Sequence, residues 1–537
     1  MLYFYATVPV LIGVIYYTLP IGKAGKAVAV VAQAALTCYS FHLFFLCKQG
    51  EIVSTVGNYS GVMGITLKAD TLSSVFVALV SFLFLMAALY SLHENYSKRY
   101  WLFLFIWQGL LNGIFLTCDL FSVFVFIEAV TVVVSVMVMY NRDGRSMYDG
   151  ILYLMVNTVA MQFYLFGIGY LYKLTGALDM DAVAASVRSL EKTSLVLPFA
   201  LIMTSICLKC AMMPLYSWLP HAHGTPSAPS AVSALLSGLH IKSGIYLFIR
   251  FLFIFDGMIA PEFFIGLGIV TGAAGFIFAL SESDVKRILA YSTVSQVGMI
   301  MAGLNLPNSY ANIGGIYHMV NHALFKTVLF LSAGVITQAY GTRDVNGIRG
   351  VMRRIPSAGA ATAMAVLGIT GTPFFNGSIS KYFIMAGAGR ALSAALMFLN
   401  LGTIIVFIKY STMLFGQPLP GASTEEDLFI RKYEVGIGKK TAILIPGALC
   451  FAGGVFGEQI IHFLFNVRVT VDAGGYGEKA LIFGLSAAAG FLIFSYLGKC
   501  GKALMLIKRI DPGFREICVL LGLFFAVVLI VSRISVL

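Results

Sequence analysis

The chain reads as an all-α polytopic membrane protein of about 14–16 transmembrane helices, with two inverted five-helix repeats and two discontinuous helices. Three observations lead there. Of its 537 residues, 59% are hydrophobic and 11% charged, with a mean hydropathy of +0.89, whereas a soluble domain carries about 25% charged residues. Two apolar runs are interrupted by proline and glycine, at Pro214 and at Gly371-Thr-Pro373, and they lie five spans apart. An odd number of spans per unit inverts successive units, and interrupted helices in corresponding positions point to a transport site. Finally, Glu128, Lys209, Lys242, Lys326 and Lys381 stand deep inside otherwise apolar runs. Ionisable groups are expensive in hydrocarbon and mark ion or proton pathways.

Taken in order, runs of about 20 apolar residues fall near 2–20, 27–47, 70–92, 100–118, 120–140, 149–172, 195–217, 228–249, 261–280, 288–306, 311–339, 357–387, 391–415, 441–465, 480–498 and 517–537. The first has no basic residue before it and no small-residue cleavage pattern after it, so a retained helix is expected rather than a signal peptide. Loops after odd-numbered spans hold 21 Lys and Arg against 9 after even-numbered ones. Excess basic charge marks the cytoplasmic side, which predicts a multi-pass protein of the cell inner membrane with its N-terminus outside. The net charge of +12 is accounted for by this bias and calls for no nucleic-acid partner.

The chain divides into N-terminal helices 1–3 (1–99), a first five-helix half-channel (100–254), a second, inverted one (255–415), and a cytoplasmic loop with C-terminal helices (416–537). The longest loops, Lys48–Ala69, Lys173–Ser194 and Gly416–Lys440, are too short to fold alone. The last mixes Glu425, Glu426 and Asp427 with Arg431, Lys432, Lys439 and Lys440, as a solvated segment would. Lys499, Lys502, Lys508, Arg509 and Arg515 make the final linker basic, suited to an anionic leaflet. Eight cysteines are scattered. Cys207 and Cys210 lack the second pair that an iron–sulfur cluster or structural zinc needs, so no cofactor or metal is expected in this chain. Walker, Rossmann and nucleophile-elbow patterns are absent, which leaves no catalytic centre.

Glu128 lies roughly 12 Å along the helix that starts after Asp119. A carboxylate at that depth either carries protons or pairs with a lysine, and one glutamate cannot neutralise four. Lys209 precedes the break at Pro214, where freed carbonyls gather water. Lys381 follows the second break, Gly371-Thr-Pro373-Phe-Phe-Asn376-Gly377. Between them come Lys242 and the series His318, His322, Lys326, spaced i, i+4, i+8 on one helix face and about 6 Å apart along the axis, a spacing for a water-linked relay. Lys409 and Arg533 lie near helix ends and can snorkel, so neither is given a role. His221 and His223 follow Pro220 in a loop, too few for a metal site, and are placed at the channel mouth.

At these residues the chain resembles the antiporter-like membrane subunits shared by respiratory complex I, Mrp-type cation/proton antiporters and membrane-bound hydrogenases. The matching stretches are Lys209…Pro214-Leu-Tyr-Ser-Trp218-Leu-Pro220-His-Ala-His223, Ala228-Pro-Ser-Ala-Val-Ser233-Ala-Leu-Leu-Ser-Gly238, Asp284-Val-Lys-Arg-Ile-Leu-Ala-Tyr-Ser-Thr-Val-Ser-Gln296 and His318-Met-Val-Asn-His322-Ala-Leu-Phe-Lys326. With Glu128 and Lys381 they cover roughly residues 100–415. The resemblance implies repeats over spans four to eight and nine to thirteen, with the seventh and twelfth discontinuous. It also implies Glu128 with Lys209 as a switching ion pair, Lys242, His318, His322 and Lys326 as a central relay, and Lys381 as the terminal proton site. His221 stands where many relatives carry an acidic residue. The two spans beyond the usual fourteen are joined by a linker too short for the long lateral helix of the largest complex I relative.

The leading expectation is a proton-translocating subunit of a multisubunit membrane complex, driven by a redox module or a cation gradient. Iron–sulfur or other redox cofactors would then sit in partner subunits. An Mrp-type sodium/proton antiporter subunit is the alternative, with any sodium path in a neighbouring subunit, because the lysines repel sodium. A stand-alone solute transporter would need a substrate cavity with unpaired carboxylates, and a scaffold would leave the lysine series without purpose.

Overall fold

The computed structural model describes residues 1–20, 25–57, 64–224, 228–416, 433–497 and 501–537. Glu425, Glu426, Asp427, Arg431, Lys432 and Lys499 lie outside the described residues. The apolar runs fold as helices α1 (Tyr3–Thr18), α2 (Gly25–Cys47), α3 (Thr71–Ser91), α4 (Lys98–Leu116), α5 (Leu120–Val138) and α6 (Gly144–Thr175). A short α7 (Met180–Val187) precedes α8 (Lys192–Lys209), α9 (Trp218–Gly224) and α10 (Ser230–Ile254). The second repeat runs through α11 (Pro261–Ser281), α12 (Val285–Leu304), α13 (Ser309–Tyr340), α14 (Pro356–Thr370), α15 (Asn376–Ala386) and α16 (Arg390–Ser411). The C-terminal part holds α17 (Ile437–Val455), α18 (Gly457–Phe465), α19 (Ala473–Leu497), α20 (Gly501–Lys508) and α21 (Phe514–Val536).

Every predicted span falls on helix. Among the described residues, eleven helices are long and apolar enough to cross a membrane, or twelve if α17 and α18, bent by 102°, count as one broken span. The sixteen expected runs exceed that number for physical reasons. Helix α1 has 16 residues, α4 carries Lys98, Arg99, Gln108 and Asn112, α12 is polar along much of its length, and the twelfth run is split into α14 and α15. Helix α12 tolerates its serines, threonine and glutamine because it is enclosed by neighbouring helices. The loop Lys48–Ala69 holds an antiparallel hairpin, β1 (Ile52–Val56) with β2 (Ile65–Ala69), pinned where Lys68 meets Glu51 at 3.2 Å and Asp181 at 3.1 Å.

The repeat is written in backbone hydrogen bonds. Asp119 caps α5, and the chain there exchanges bonds Leu120 N→Leu178 O (2.9 Å) and Met180 N→Cys118 O (2.7 Å). In the second unit Asp284 caps α12, with Val285 N→Arg343 O and Val345 N→Ser283 O, both 2.9 Å. Each of these positions is displaced from its counterpart by the same number of residues, and α6 and α13 are each 32 residues long. The two clasps sit on opposite faces. The first lies with the hairpin, to which the N-terminal amine donates through Ser54 Oγ (2.9 Å). The second lies with α9, since Arg343 donates to Gly224 O (2.7 Å). On that same face Arg287 meets Asp511 at 3.4 Å and Lys508 meets Glu282 at 3.2 Å. The loops following spans seven, nine, eleven and fifteen are therefore together in space, in line with the grouping that the basic-residue count had made.

Candidate functional site

Lys209 is the last residue of α8, and its neighbourhood is built by the break. Helix α8 ends at Lys209, and the indole of Trp218 on α9 donates to Leu208 O (2.9 Å), a carbonyl that also accepts Ala211 N–H (2.8 Å) where the chain leaves the helix. Gly244 of α10 lies against Lys209, where a Cβ would come within 3.1 Å of the lysine Cβ, so any side chain there would press the two helices apart by a few tenths of an ångström. The buried ammonium donates to Thr131 Oγ1 of α5 at 3.1 Å. Glu128 lies one turn before Thr131. Its Oε2 accepts a long bond from Thr158 (3.4 Å), and its buried Oε1 has no partner among the described residues. The expected pair is thus seen with the amine on Thr131 rather than on the carboxylate.

The middle of the site is fully enclosed. Lys242 follows a π turn, Leu236–His240, inside α10. Its ammonium donates to Ser237 O (2.6 Å) and makes a short bond with His322 Nδ1. One turn back on α13, His318 contacts Ser380 Oγ of α15 (2.8 Å) through Nδ1 and Gln296 Oε1 of α12 (3.0 Å) through Nε2. Lys326 turns instead toward α12, donating to Leu289 O (2.7 Å) and Ser292 Oγ (2.5 Å). The i, i+4, i+8 series therefore faces a common interior, with His322 answered by α10, Lys326 by α12, and His318 by both α12 and α15.

Lys381 closes the line. It follows Ser380 on α15, and its ammonium donates to Ile369 O at the end of α14 (2.6 Å) and to Asn400 Oδ1 of α16 (2.7 Å). The break itself turns through Gly371 at φ +81°, a left-handed conformation, and a Cβ there would lie 3.0 Å from Lys381 Cδ. Lys381 and Asn400 line a cavity of about 50 Å³ together with Ser378, Tyr382, Tyr476 and Lys479.

Residues 117–407, more than half the chain, match the family described as NADH:quinone oxidoreductase/Mrp antiporter, transmembrane. The chain belongs to this family. A subunit of the NADH-quinone oxidoreductase of Desulforudis audaxviator is 32% identical over 422 residues, 74% of this chain and 83% of that one. A subunit of the Na⁺/H⁺ antiporter of Alkalihalophilus pseudofirmus is 29% identical over 447 residues, covering 81% and 89%. A chain of the Mrp complex from Dietzia sp. has the same fold, with a TM-score of 0.79 at 22% identity over 90% of this chain and 99% of that one. A chain of the archaeal membrane-bound sulfane sulfur reductase gives 0.78 at 21% over 91% and 98%.

Within this member of the family, structure adds residues that the sequence left unassigned. His240 accepts or donates at Nε2 with Tyr153 OH of α6 (2.8 Å), which places a titratable ring between the Lys209 and Lys242 limbs. Thr131, Gln296, Ser380 and Asn400 each hold one member of the series. Neutral polar residues inside spans are common, and nothing local distinguished these. Ser237 Oγ meets Thr293 Oγ1 (2.8 Å), joining the helices that carry Lys242 and hold Lys326.

His221 and His223 are not in a loop but on α9, because Trp218 to Gly224 closes a further helical turn after the break. His221 is held between Asp149 (2.8 Å, Nδ1) and Asp511 (3.0 Å, Nε2), so a carboxylate faces each ring nitrogen. Burial would raise the Asp511 carboxyl, but the His221 bond and charge, with Arg287, hold it below the ordinary value. His223 is buried against Phe330 (5.8 Å between rings), away from any mouth. Lys409 does not reach solvent freely either: it donates to Leu280 O (2.8 Å) and Glu282 O at the end of α11.

Proposed function

We propose that the chain is a proton-translocating subunit of a multisubunit membrane complex, moving protons laterally from Lys209 through the relay of Lys242, His318, His322 and Lys326 to Lys381. The observation that carries this reading is the bonded series in the middle of the bundle: Lys242 on His322, His318 on Ser380, and Lys381 beside it lining a cavity. Groups that both take up and release protons, buried with few counter-charges, store charge rather than neutralise it. With Glu128 near, charge on Lys209 is stabilised; when the pair separates, the low-dielectric surround disfavours it, and the proton passes inward. Repulsion between neighbouring ammonium groups makes occupancy of one site oppose occupancy of the next, so a charge step at one end reaches the other.

The Na⁺/H⁺ antiporter and NADH-quinone oxidoreductase relatives support two drivers, a cation gradient or a redox partner. In either case the partners are other membrane subunits, any redox cofactor lies in them, and the bilayer is the inner membrane with the N-terminus outside. The lysine series favours protons over sodium in this chain, because a protonated lysine repels the metal ion and a neutral one still carries protons.

The test uses the purified complex in sealed vesicles. Lys381→Met keeps the packing but deletes the titratable amine, and should abolish proton transport while the complex assembles. Lys381→Arg should fail as well, since guanidinium keeps the charge and does not release its proton in a working pH range. Glu128→Gln should slow transport severely. Full transport by Lys381→Arg would reduce this position to a fixed charge and overturn its role as the terminal proton site.

A further inference from the structure

A second cavity, of about 270 Å³, lies against α13 along Tyr317, Val320, Asn321 and Leu324, next to the stripe that carries the relay histidines. Its lining comes from α2, α3, α13, α17 and α18, chiefly Phe44, Leu79, Phe82, Val320, Leu324 and Ile460. Two polar side chains reach it, and both are already engaged: Tyr317 OH donates to Gly453 O (2.8 Å), and Asn321 exchanges bonds with Asn376 O (3.0 Å) and Asn376 Nδ2 (3.1 Å). The cavity therefore offers a ligand no free hydrogen-bonding group, which excludes a polar solute and makes water a poor occupant. Apolar cavities of about 150 Å³ already stay dry and take up hydrocarbon, and this one is larger. Left unfilled, it would forfeit packing contacts in proportion to its volume.

Two further observations say what fills it. Its lining residues Phe41, Leu449 and Phe463 are 37%, 39% and 43% exposed, so the cavity opens sideways at an apolar surface of the bundle, where the acyl region of a bilayer lies. At its rim, Lys48 holds its ammonium 4.1 Å from the centre of the Phe463 ring and 5.3 Å from that of Phe44. Among the described residues Lys48 makes no ion pair with a carboxylate. A cation at the end of an apolar slot, beside α18 where it turns by 102° from α17, matches an amphiphile with a phosphate at one end. We propose that this cavity binds one acyl chain of an anionic phospholipid whose phosphate is held by Lys48. The chain would lie along Tyr317, Asn321 and Leu324, the stripe of α13 beside the one that carries His318 and His322, and against the Asn321–Asn376 clasp at the second break.

The experiment reconstitutes the purified complex with phosphatidylglycerol, or in parallel phosphatidylcholine, bearing a photoreactive diazirine in the acyl chain, and maps labelled peptides. Labelling is expected on the segments around 75–82, 317–324 and 460–464, about fivefold stronger with phosphatidylglycerol, the order of preference that one lysine gives at a membrane surface. Val320→Trp should fill the slot and remove the label there. Lys48→Gln, at the rim, should lower phosphatidylglycerol labelling to the level of phosphatidylcholine. Labels confined to outer surfaces such as Phe491 and Leu523, labelling indifferent to both variants, or a cross-link to a partner polypeptide in place of lipid would each overturn the proposal.

Discussion

Thr131→Val removes the hydroxyl on which the Lys209 ammonium rests, at 3.1 Å, while leaving Glu128 untouched. The same hydroxyl donates to Ile127 O of its own helix (2.7 Å), so its lone pairs are free for the lysine. A hydrogen bond to a charged group contributes about 1.5–3 kcal/mol, which corresponds to roughly 10- to 150-fold in the balance between the amine on Thr131 and the amine on Glu128. Loss of the back-bond to Ile127 changes helix stability little, because such bonds slightly disfavour a helix. The variant should therefore assemble, rest with Lys209 on Glu128, and release its proton inward about tenfold or more slowly. Proton uptake by the complex in sealed vesicles measures this. A Glu128→Gln/Thr131→Val double variant should be no slower than Glu128→Gln alone, since the hydroxyl acts only in competition with the carboxylate. Wild-type transport in Thr131→Val, or losses that simply add in the double variant, would refute the reasoning.

Other outcomes follow from features already described. A reporter fused after Arg354 should be cytoplasmic and one fused after Pro307 external; opposite labelling would invert the orientation. Lys409→Met should weaken assembly by about 1–3 kcal/mol, because the ammonium caps carbonyls at the end of α11, yet leave transport per assembled complex near normal. The Asp511 carboxyl is held below its ordinary value, so its contribution to docking of the 509–513 linker is present above the usual carboxylate range and is lost as pH falls through the depressed value. Hydrogen exchange across 504–513 should rise on acidification below about pH 4. Asp511→Asn should raise that exchange at neutral pH, with His221, Arg287, Lys508, Glu282 and Asp149 as the charges around it.

Much of the architecture was legible because a bilayer imposes long apolar runs and because breaks leave local marks. Pro214 and Gly371-Thr-Pro373 mark interrupted helices where the sequence placed them, whereas the 102° turn between α17 and α18 falls inside the run read as one span at 441–465. The charged members of the site were legible for the same reason: a lysine in hydrocarbon has no ordinary explanation. What escaped the sequence depends on partners far along the chain. Nothing near His221 foretells Asp511, nearly three hundred residues on, and nothing near Ser380 or Thr131 foretells the histidine and lysine that they meet. The hairpin at 52–69 read as a loop because each of its strands has five residues, and α7 is a helix of eight. Elements that short are fixed by what they dock against.

The twin backbone clasps, at Leu120–Leu178 on one face and Val285–Arg343 on the other, have a consequence for electrical insulation. Each half of the molecule is a copy of the other turned upside down, so neither half is a straight shaft, and no single rearrangement opens both faces along one line. On the proposed route, a charge that enters one half must travel sideways through the buried lysines and histidines before it can leave by the other. A leak would then need two separated thresholds to fail at once, so a defect in either copy alone would slow transport without discharging the membrane.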